Sequence, residues 1–480
     1  MIRITDRELL ALYPSLHTQT LREGNNAIFE FYNSNSGNTD KIQKNNCESE
    51  KRGNGVSVDF YGVDFDIYNK NVPIYVNQLR NRVNKIGQFL KWVNLPSEQI
   101  PRINEFYDLA EQFKNSTGNK KLTVIGIGGS KHPIEHMLSI NGLNLDNKIE
   151  FYSDIDSLSF NRLIKSLDGD IASSNFLVVS KSGSTFETKD GFIRIKNKLI
   201  ETYKNRGYSN EQAEIQANKH FVAVTDSDKT KSKLRETAQK DNWLGDLKIH
   251  NDVGGRFSAF DDHVLFALAY AGMRKEDMRD MLKAAQRVSE ESLSYDLKSN
   301  FALQEAIFWI NAKKKGIENA VHQYFGSTFN NTINWETQLH NESIKDTQKQ
   351  IAKIPDAMHH SAEAHFNPKN RYAFALTVTT DRGDCSENTQ NYIDALIKSY
   401  SGQGPFFIET LDSNDMNLIP EAAGRITQMR AFSTIYEEII SKIENNEPTT
   451  EILESLTQPN VETYKQNLKN LSPGRITNKM

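Results

Sequence analysis

Short runs of apolar, often β-branched residues occupy 122–127, 148–152, 175–179 and 220–224, and each is followed by a stretch with apolar residues at helical spacing. Runs of that length, ended by Gly, Ser or Asp, read as strands buried on both faces. Strand alternating with helix predicts a doubly wound parallel sheet. In TDSDKTKSKLRETA (225–238), Thr225, Asp226 and Ser227 are the expected N-cap residues. After Val253 the pattern is helical to about Lys315, and a weaker alternation follows. It comprises strand AVHQYFG (320–326), a helix from about Thr328, strands YAFALTVTT (372–380) and PFFIET (405–410), and a long helix over 421–443.

The predicted fold class is therefore α/β, with two αβα domains whose parallel sheets are flanked by helices. Residues 1–32 read as weakly helical, and 32–56 are rich in Asn, Ser, Gly, Lys and Glu. Such a composition buries too little apolar surface to offset ordering, so it reads as a linker. Order resumes at 58–70, and 76–93 reads as helical. The expected organisation is an N-terminal extension over 1–56, a first domain over 57–280, a second over 281–445, and a C-terminal tail over 446–480.

A chain of 480 residues has material for more than one core. The formal net charge of −4 supplies no field to attract nucleic acid or an anionic membrane. No apolar run reaches the roughly 18 residues a membrane helix needs. The N-terminus MIRITDRELL lacks an apolar signal core, so a cytoplasmic address is expected. Only Cys47 and Cys385 are present, which argues against a disulfide framework or a structural zinc site.

Two of the strand ends carry candidate chemistry. LTVIGIGGS ends at Ser130, with Gly128 and Gly129 before it, and NFLVVSKSGSTFET places Ser180, Lys181, Ser182, Ser184 and Thr185 just before a helix. A loop feeding a helix N-terminus offers free backbone N–H groups and short hydroxyls to an anion. The third glycine of G-x-G-x-x-G is missing, and neither loop has the G-K-[ST] of a P-loop. A phosphate cradle is the reading that remains, beside that of ordinary loops. Four further segments stand out: NDVGGRFSAF with Gly255 and Arg256, TQLHNESIKD with Gln338 and Glu342, PDAMHHSAEAHF with His359, His360, Glu363 and His365, and QPNVETYK with Lys465. A guanidinium behind two glycines suits an oxyanion. Taken singly, Glu342 reads as a solvated helical residue and Lys465 as part of a capped helix start. The histidine-rich segment lacks H-E-x-x-H, so no metal is expected.

These six segments, in this order, resemble the blocks of the glucose-6-phosphate isomerase family in its shorter bacterial form. The matching stretches are 126–130, 180–188, 253–258, 338–343, 359–361 and 458–465. The resemblance implies two SIS-type sugar-phosphate domains, reversible isomerisation of glucose 6-phosphate and fructose 6-phosphate, no metal or other cofactor, and a homodimer. Position by position, it implies Glu342 as the base that moves a proton between C1 and C2. His360 is implied to help open the sugar ring, reaching the site across the subunit interface, with Lys465 as its ring-opening partner. Arg256 is implied to stabilise the enediolate, and Ser130, Ser180, Lys181, Ser182 and Thr185 to hold the phosphate. Gly128, Gly129, Gly255 and Gln338 fall in the substrate-binding loops.

Three departures accompany the match. Ile344 stands in the stretch after Glu-Ser where the family usually carries a glycine, although Lys345 and Asp346 keep its character; Lys131-His132-Pro133 follow GIGGS, and Asn460 replaces a glycine. Ser361 favours His360 over His359 as the functional histidine. A broader phosphoglucose/phosphomannose isomerase shares the same base and loops. A non-catalytic phosphosugar-binding regulator needs the hydroxyl cradle but has no use for Glu342, His360 and Lys465.

Overall fold

A computed structural model describes residues 20–23, 26–30, 41–45, 56–143, 148–228, 230–345, 349–354, 356–365, 367, 369–379, 386–401, 404–411 and 419–458. Two sheets organise the chain. The first is five-stranded and all parallel, built from β5 (Lys121–Ile125), β6 (Ile149–Tyr152), β7 (Ser174–Val179), β8 (Phe221–Asp226) and β9 (Gly245–Ile249). Their order across the sheet is β6-β5-β7-β8-β9. The chain leaves β5 to one side and returns to β7 on the other, so the order reverses between β5 and β7. Ligands in such sheets bind outside the carboxyl ends of the strands at this reversal.

The second sheet has eight strands. Its parallel part is β10 (Asn319–Phe325), β11 (Lys349–Ile354), β12 (Tyr372–Thr379) and β13 (Phe406–Leu411). Strand β4 (Val56–Tyr61) lies antiparallel to β13, and β1 (Thr20–Glu23), β2 (Asn26–Glu30) and β3 (Lys41–Asn45) extend it as an antiparallel meander. The order is β1-β2-β3-β4-β13-β12-β10-β11. The helical expectation for the N-terminal extension is thus corrected to strand where the chain is described. Strands β1 and β2 flank a Gly-Asn pair at 24–25, a hairpin signal in the sequence. Strand β4 opens the stretch expected to begin the first domain, yet it completes the second sheet, because Val58 and Phe60 bury one face while Asp59 and Tyr61 point away.

The period-2 alternation divides each central strand between two cores. Leu122 and Val124, Leu177 and Val179, Val222 and Val224, Ala373 and Ala375, and Phe407 all face a shared core. Ile125, Phe176, Val178, Phe221 and Ala223 face the opposite side of the first sheet, and Phe374, Leu376, Phe406 and Ile408 that of the second. Helices Asp262–Ala271, Lys275–Ser292, Phe301–Lys314 and Ile419–Glu444 contribute to the shared core. At Gly424 a Cβ would lie 2.1 Å from the Met281 carbonyl oxygen, so only glycine lets the 419–444 helix approach the 275–292 helix this closely.

Two local expectations are corrected, and one departure is accommodated. Thr225 and Asp226 are the last residues of β8, and the N-cap of helix Lys233–Lys240 is Ser232, whose hydroxyl accepts from Arg235 N–H. The stretch 76–93 is not one helix. Helix Val72–Val83 stops before Gly87, which sits at φ +83, and a short turn Lys91–Val93 follows. Ile344 needs no glycine conformation: it leaves the helix at φ −91 in extended backbone, with its side chain buried.

Candidate active site

The loops after β5 and β7 flank the reversal in strand order. The first is the 3₁₀ turn Gly128–Ser130, with Gly128 at φ +52 and Ser130 half-buried at its end. In the second, Ser180 is buried, Lys181 and Thr185 are half-buried, and Ser182 and Ser184 are exposed. Gly183 lies at φ +68, and a Cβ there would come within 2.5 Å of Leu234 N. Ser180 Oγ accepts the Gly183 N–H at 3.1 Å and lies 3.2 Å from Thr185 Oγ1. Thr185 is the N-cap of helix Phe186–Asn205, and its side chain makes no capping bond. The first-turn N–H groups are thus left without a capping side chain, beside the exposed hydroxyls of Ser182 and Ser184, an arrangement suited to an anion.

A third loop locks the first two together. A Cβ on Gly129 would lie 2.4 Å from the Gly255 carbonyl carbon, so the Gly128–Ser130 and Gly255–Phe257 turns meet backbone to backbone. Ser258 Oγ donates to Gly129 O at 3.2 Å and to Gly255 O at 2.6 Å. Lys181 Nζ reaches across to the Val253 carbonyl at 3.2 Å. The glycines at 128, 129, 183 and 255 thus answer to contact or to positive φ.

Helix Thr332–Ser343 brings the carboxylate. Glu342 stands in its last turn, where the helix dipole is unfavourable to a negative charge. Three donors compensate. Arg256 Nη1 lies 3.3 Å from Glu342 Oε2, Gln338 Nε2 donates to Oε1 at 3.0 Å, and Gln458 Nε2 donates to Oε2. Gln338 lies one turn earlier on the same helix face and packs against Gly128. Arg256 is 2% exposed. Its Nε donates to Ser343 Oγ at 2.7 Å and its Nη2 to the Ser455 carbonyl. Burial pushes its pKa down from the ordinary value, and Glu342 works against that push. The Glu342 side chain remains 33% exposed, open to a reactant.

The helix itself is fastened from behind. His136, on helix His132–Ile140 after the first loop, stacks on Trp335 with ring centroids 4.2 Å apart. Its two ring nitrogens lie 3.0 and 2.8 Å from the hydroxyls of Thr332 and Thr427.

The structure thus brings together Ser130, Ser180, Lys181, Ser182 and Thr185 on two neighbouring loops, and Arg256, Gln338 and Glu342 beside them. His360 belongs to helix Asp356–His365, but its side chain lies outside the described residues, as does that of His359. Lys465 and Asn460 also lie outside the described residues. Gln458, Ser343 and Ser455 were not expected as site residues. Gln458 heads the QPNVETYK segment, which was the available signal. Among the described residues, His250, Asp261 and Asp262 form the cluster with metal-ligand character. Its oxygens are already occupied: Asp261 accepts from His250, and Asp262 from Arg102 and Gln99.

The chain is 28% identical over 318 residues to glucose-6-phosphate isomerase from Clostridioides difficile, covering 63% of this chain and 65% of that one. It is 31% identical over 297 residues to the one from Lacticaseibacillus casei, covering 60% and 62%. It is 26% identical over 424 residues to the one from Shouchella clausii, covering 81% and 88%. This chain is similar in sequence to glucose-6-phosphate isomerases. The match spans just under two thirds of the Clostridioides difficile relative's length. No protein-family model matches the chain. Among solved structures, a glucose-6-phosphate isomerase from Chlamydia trachomatis superposes with TM-score 0.69 at 18% identity, covering 87% of this chain and 88% of that one. A hypothetical protein from Thermus thermophilus superposes with TM-score 0.68 at 20% identity, covering 85% and 96%. These two share the α/β fold. Among the described residues, no helix is long and apolar enough to cross a membrane.

Proposed function

We propose that this chain interconverts D-glucose 6-phosphate and D-fructose 6-phosphate through a cis-enediol(ate), with Glu342 as the base. One observation carries the reading. A partly exposed carboxylate is gripped by a buried guanidinium and two amides, next to two hydroxyl-bearing loops at the reversal of a parallel sheet.

Aldose–ketose isomerisation removes a weakly acidic proton from the carbon beside a carbonyl. The base must stand within about 3 Å of that carbon, and the Glu342 carboxylate is held for this task on three sides. As the proton leaves, negative charge develops on the enediolate oxygens, and the fixed Arg256 charge acts mainly on that transition state. The same proton returns to the neighbouring carbon. The phosphate takes no part in bond making. Ser180, Ser182, Thr185, Ser130 and the N-terminal amides of the 186–205 helix anchor it, and this remote binding energy positions C1 and C2. The chemistry is a proton shuttle and calls on neither metal nor redox cofactor. Ring opening falls to His360, supplied across a homodimer interface, and to Lys465, in line with the family pattern. A glycolytic and gluconeogenic role in the cytoplasm completes the reading.

The test is turnover of fructose 6-phosphate by the purified, EDTA-treated protein, read by a coupled glucose 6-phosphate dehydrogenase. Mannose 6-phosphate run alongside separates a broader isomerase. Tight binding of a phosphosugar acid without any turnover would instead favour a phosphosugar-binding regulator.

A further inference from the structure

The segment that carries Gln458 has no regular element to hold it, yet it supplies two of the contacts that define the site. It is the turn Glu454–Leu456, whose Ser455 carbonyl accepts Arg256 Nη2, and it runs on to Gln458 at the Glu342 carboxylate. What fixes this turn is Glu438, on the long helix Ile419–Glu444. Its Oε1 accepts the Glu454 N–H at 2.8 Å and its Oε2 accepts the Ser455 N–H at 2.7 Å. Glu438 is 9% exposed. A buried carboxylate that takes two successive backbone N–H groups, one on each oxygen, clamps the turn in one orientation. Two lysines brace the same turn at the surface. Lys442 pairs with the Glu454 carboxylate at 2.8 Å, and Lys345 donates to the Glu454 carbonyl and to Thr457 Oγ1.

We propose that Glu438 is a positioning residue for the isomerase reaction, holding the 454–458 segment so that Ser455 aims Arg256 and Gln458 aims Glu342. The inference rests on the functional reading above. Glu438 touches neither the phosphate loops nor the Glu342 carboxylate; it acts through the turn. Its effect therefore belongs in kcat, with KM for the phosphosugar little changed, because the Ser182 and Thr185 loop is held by other contacts.

Glu438→Gln is the perturbation. It keeps shape and one carbonyl acceptor but turns the other oxygen into a donor facing a backbone N–H. A displacement of the order of 1 Å at a reacting group costs about 10²-fold. The expected result is a kcat lower by about tenfold to a hundredfold, KM within about threefold of wild type, and partial recovery in Glu438→Asp. Amide hydrogen exchange should accelerate at residues 454 and 455. A double-mutant cycle with Gln458→Ala should be non-additive, since removing Gln458 removes part of what Glu438 positions. Full kcat in Glu438→Gln, or losses that simply add in the cycle, would overturn the inference while leaving the functional reading intact. A wild-type protein without turnover would overturn both.

Discussion

The contact between the two glycine turns makes a demanding prediction. In Gly129→Ala the added Cβ would lie 2.4 Å from the Gly255 carbonyl carbon, 2.5 Å from its Cα and 2.7 Å from its oxygen. All three are backbone atoms, so no side chain can swing aside. Reaching an ordinary contact of 3.4 Å from that carbon requires the turns to part by about 1 Å. One turn carries Ser130 and the other Arg256, so the proposed phosphate cradle and the proposed enediolate cation would separate by a similar amount. A displacement of that size at a reacting centre costs about 10²-fold in rate, and overpacking costs about 1–3 kcal/mol of stability. The assay is steady-state isomerisation of fructose 6-phosphate, with circular dichroism and thermal melting to confirm folding. Gly142→Ala is the control: Gly142 lies at φ +63 with nothing within 4 Å of a Cβ, so it adds backbone strain without a contact at the site. A folded Gly129→Ala protein with kcat within about twofold of wild type would refute the claim that this contact sets the site geometry.

Further expectations concern the anchor and the frame. Ser182→Ala and Thr185→Ala should each raise KM by about tenfold to a hundredfold, with kcat nearly unchanged, because a lost hydrogen bond to a charged group is worth about 1.5–3 kcal/mol. A fall in kcat alone would contradict a ground-state anchor. Burial holds His136 neutral, with its pKa pushed down to about 3 from the ordinary 6.5. The unfolded chain takes up that proton below pH 6.5 and the folded protein does not until about pH 3, so stability is full above 6.5 and falls as pH drops. From pH 6.5 to 5 this one site costs about 2 kcal/mol, and buried His220, pushed down to about 4, acts with the same sign. Urea unfolding at pH 7 and pH 5 checks it; equal free energies at both would contradict the buried, neutral His136.

The sequence showed most plainly what is buried on both faces. Strands β7 and β8 are buried throughout, and their unbroken apolar runs announced them. Strands β9 and β11 escaped notice because GDLKI and KQIAKI lie at sheet edges and mix charged with apolar residues. Thr225 and Asp226 passed for caps because the residues that favour helix starts also close this strand. The site was legible as segments rather than as contacts. Arg256 and Glu342 could be picked out by their surroundings in sequence, but nothing local joins Ser455 to Arg256 or Glu438 to Ser455. Those partners are set by where the 419–444 helix and the 454–456 turn pack.

Glu342 is proposed as the base of an aldose–ketose isomerisation. The most direct measurement compares wild type with Glu342→Gln in fructose 6-phosphate turnover and in binding of a phosphosugar acid. The account predicts metal-independent turnover in the wild type. It predicts a kcat lower by about 10²–10⁴-fold in Glu342→Gln, with binding retained. Near wild-type kcat in Glu342→Gln would remove Glu342 from that role and contradict the account.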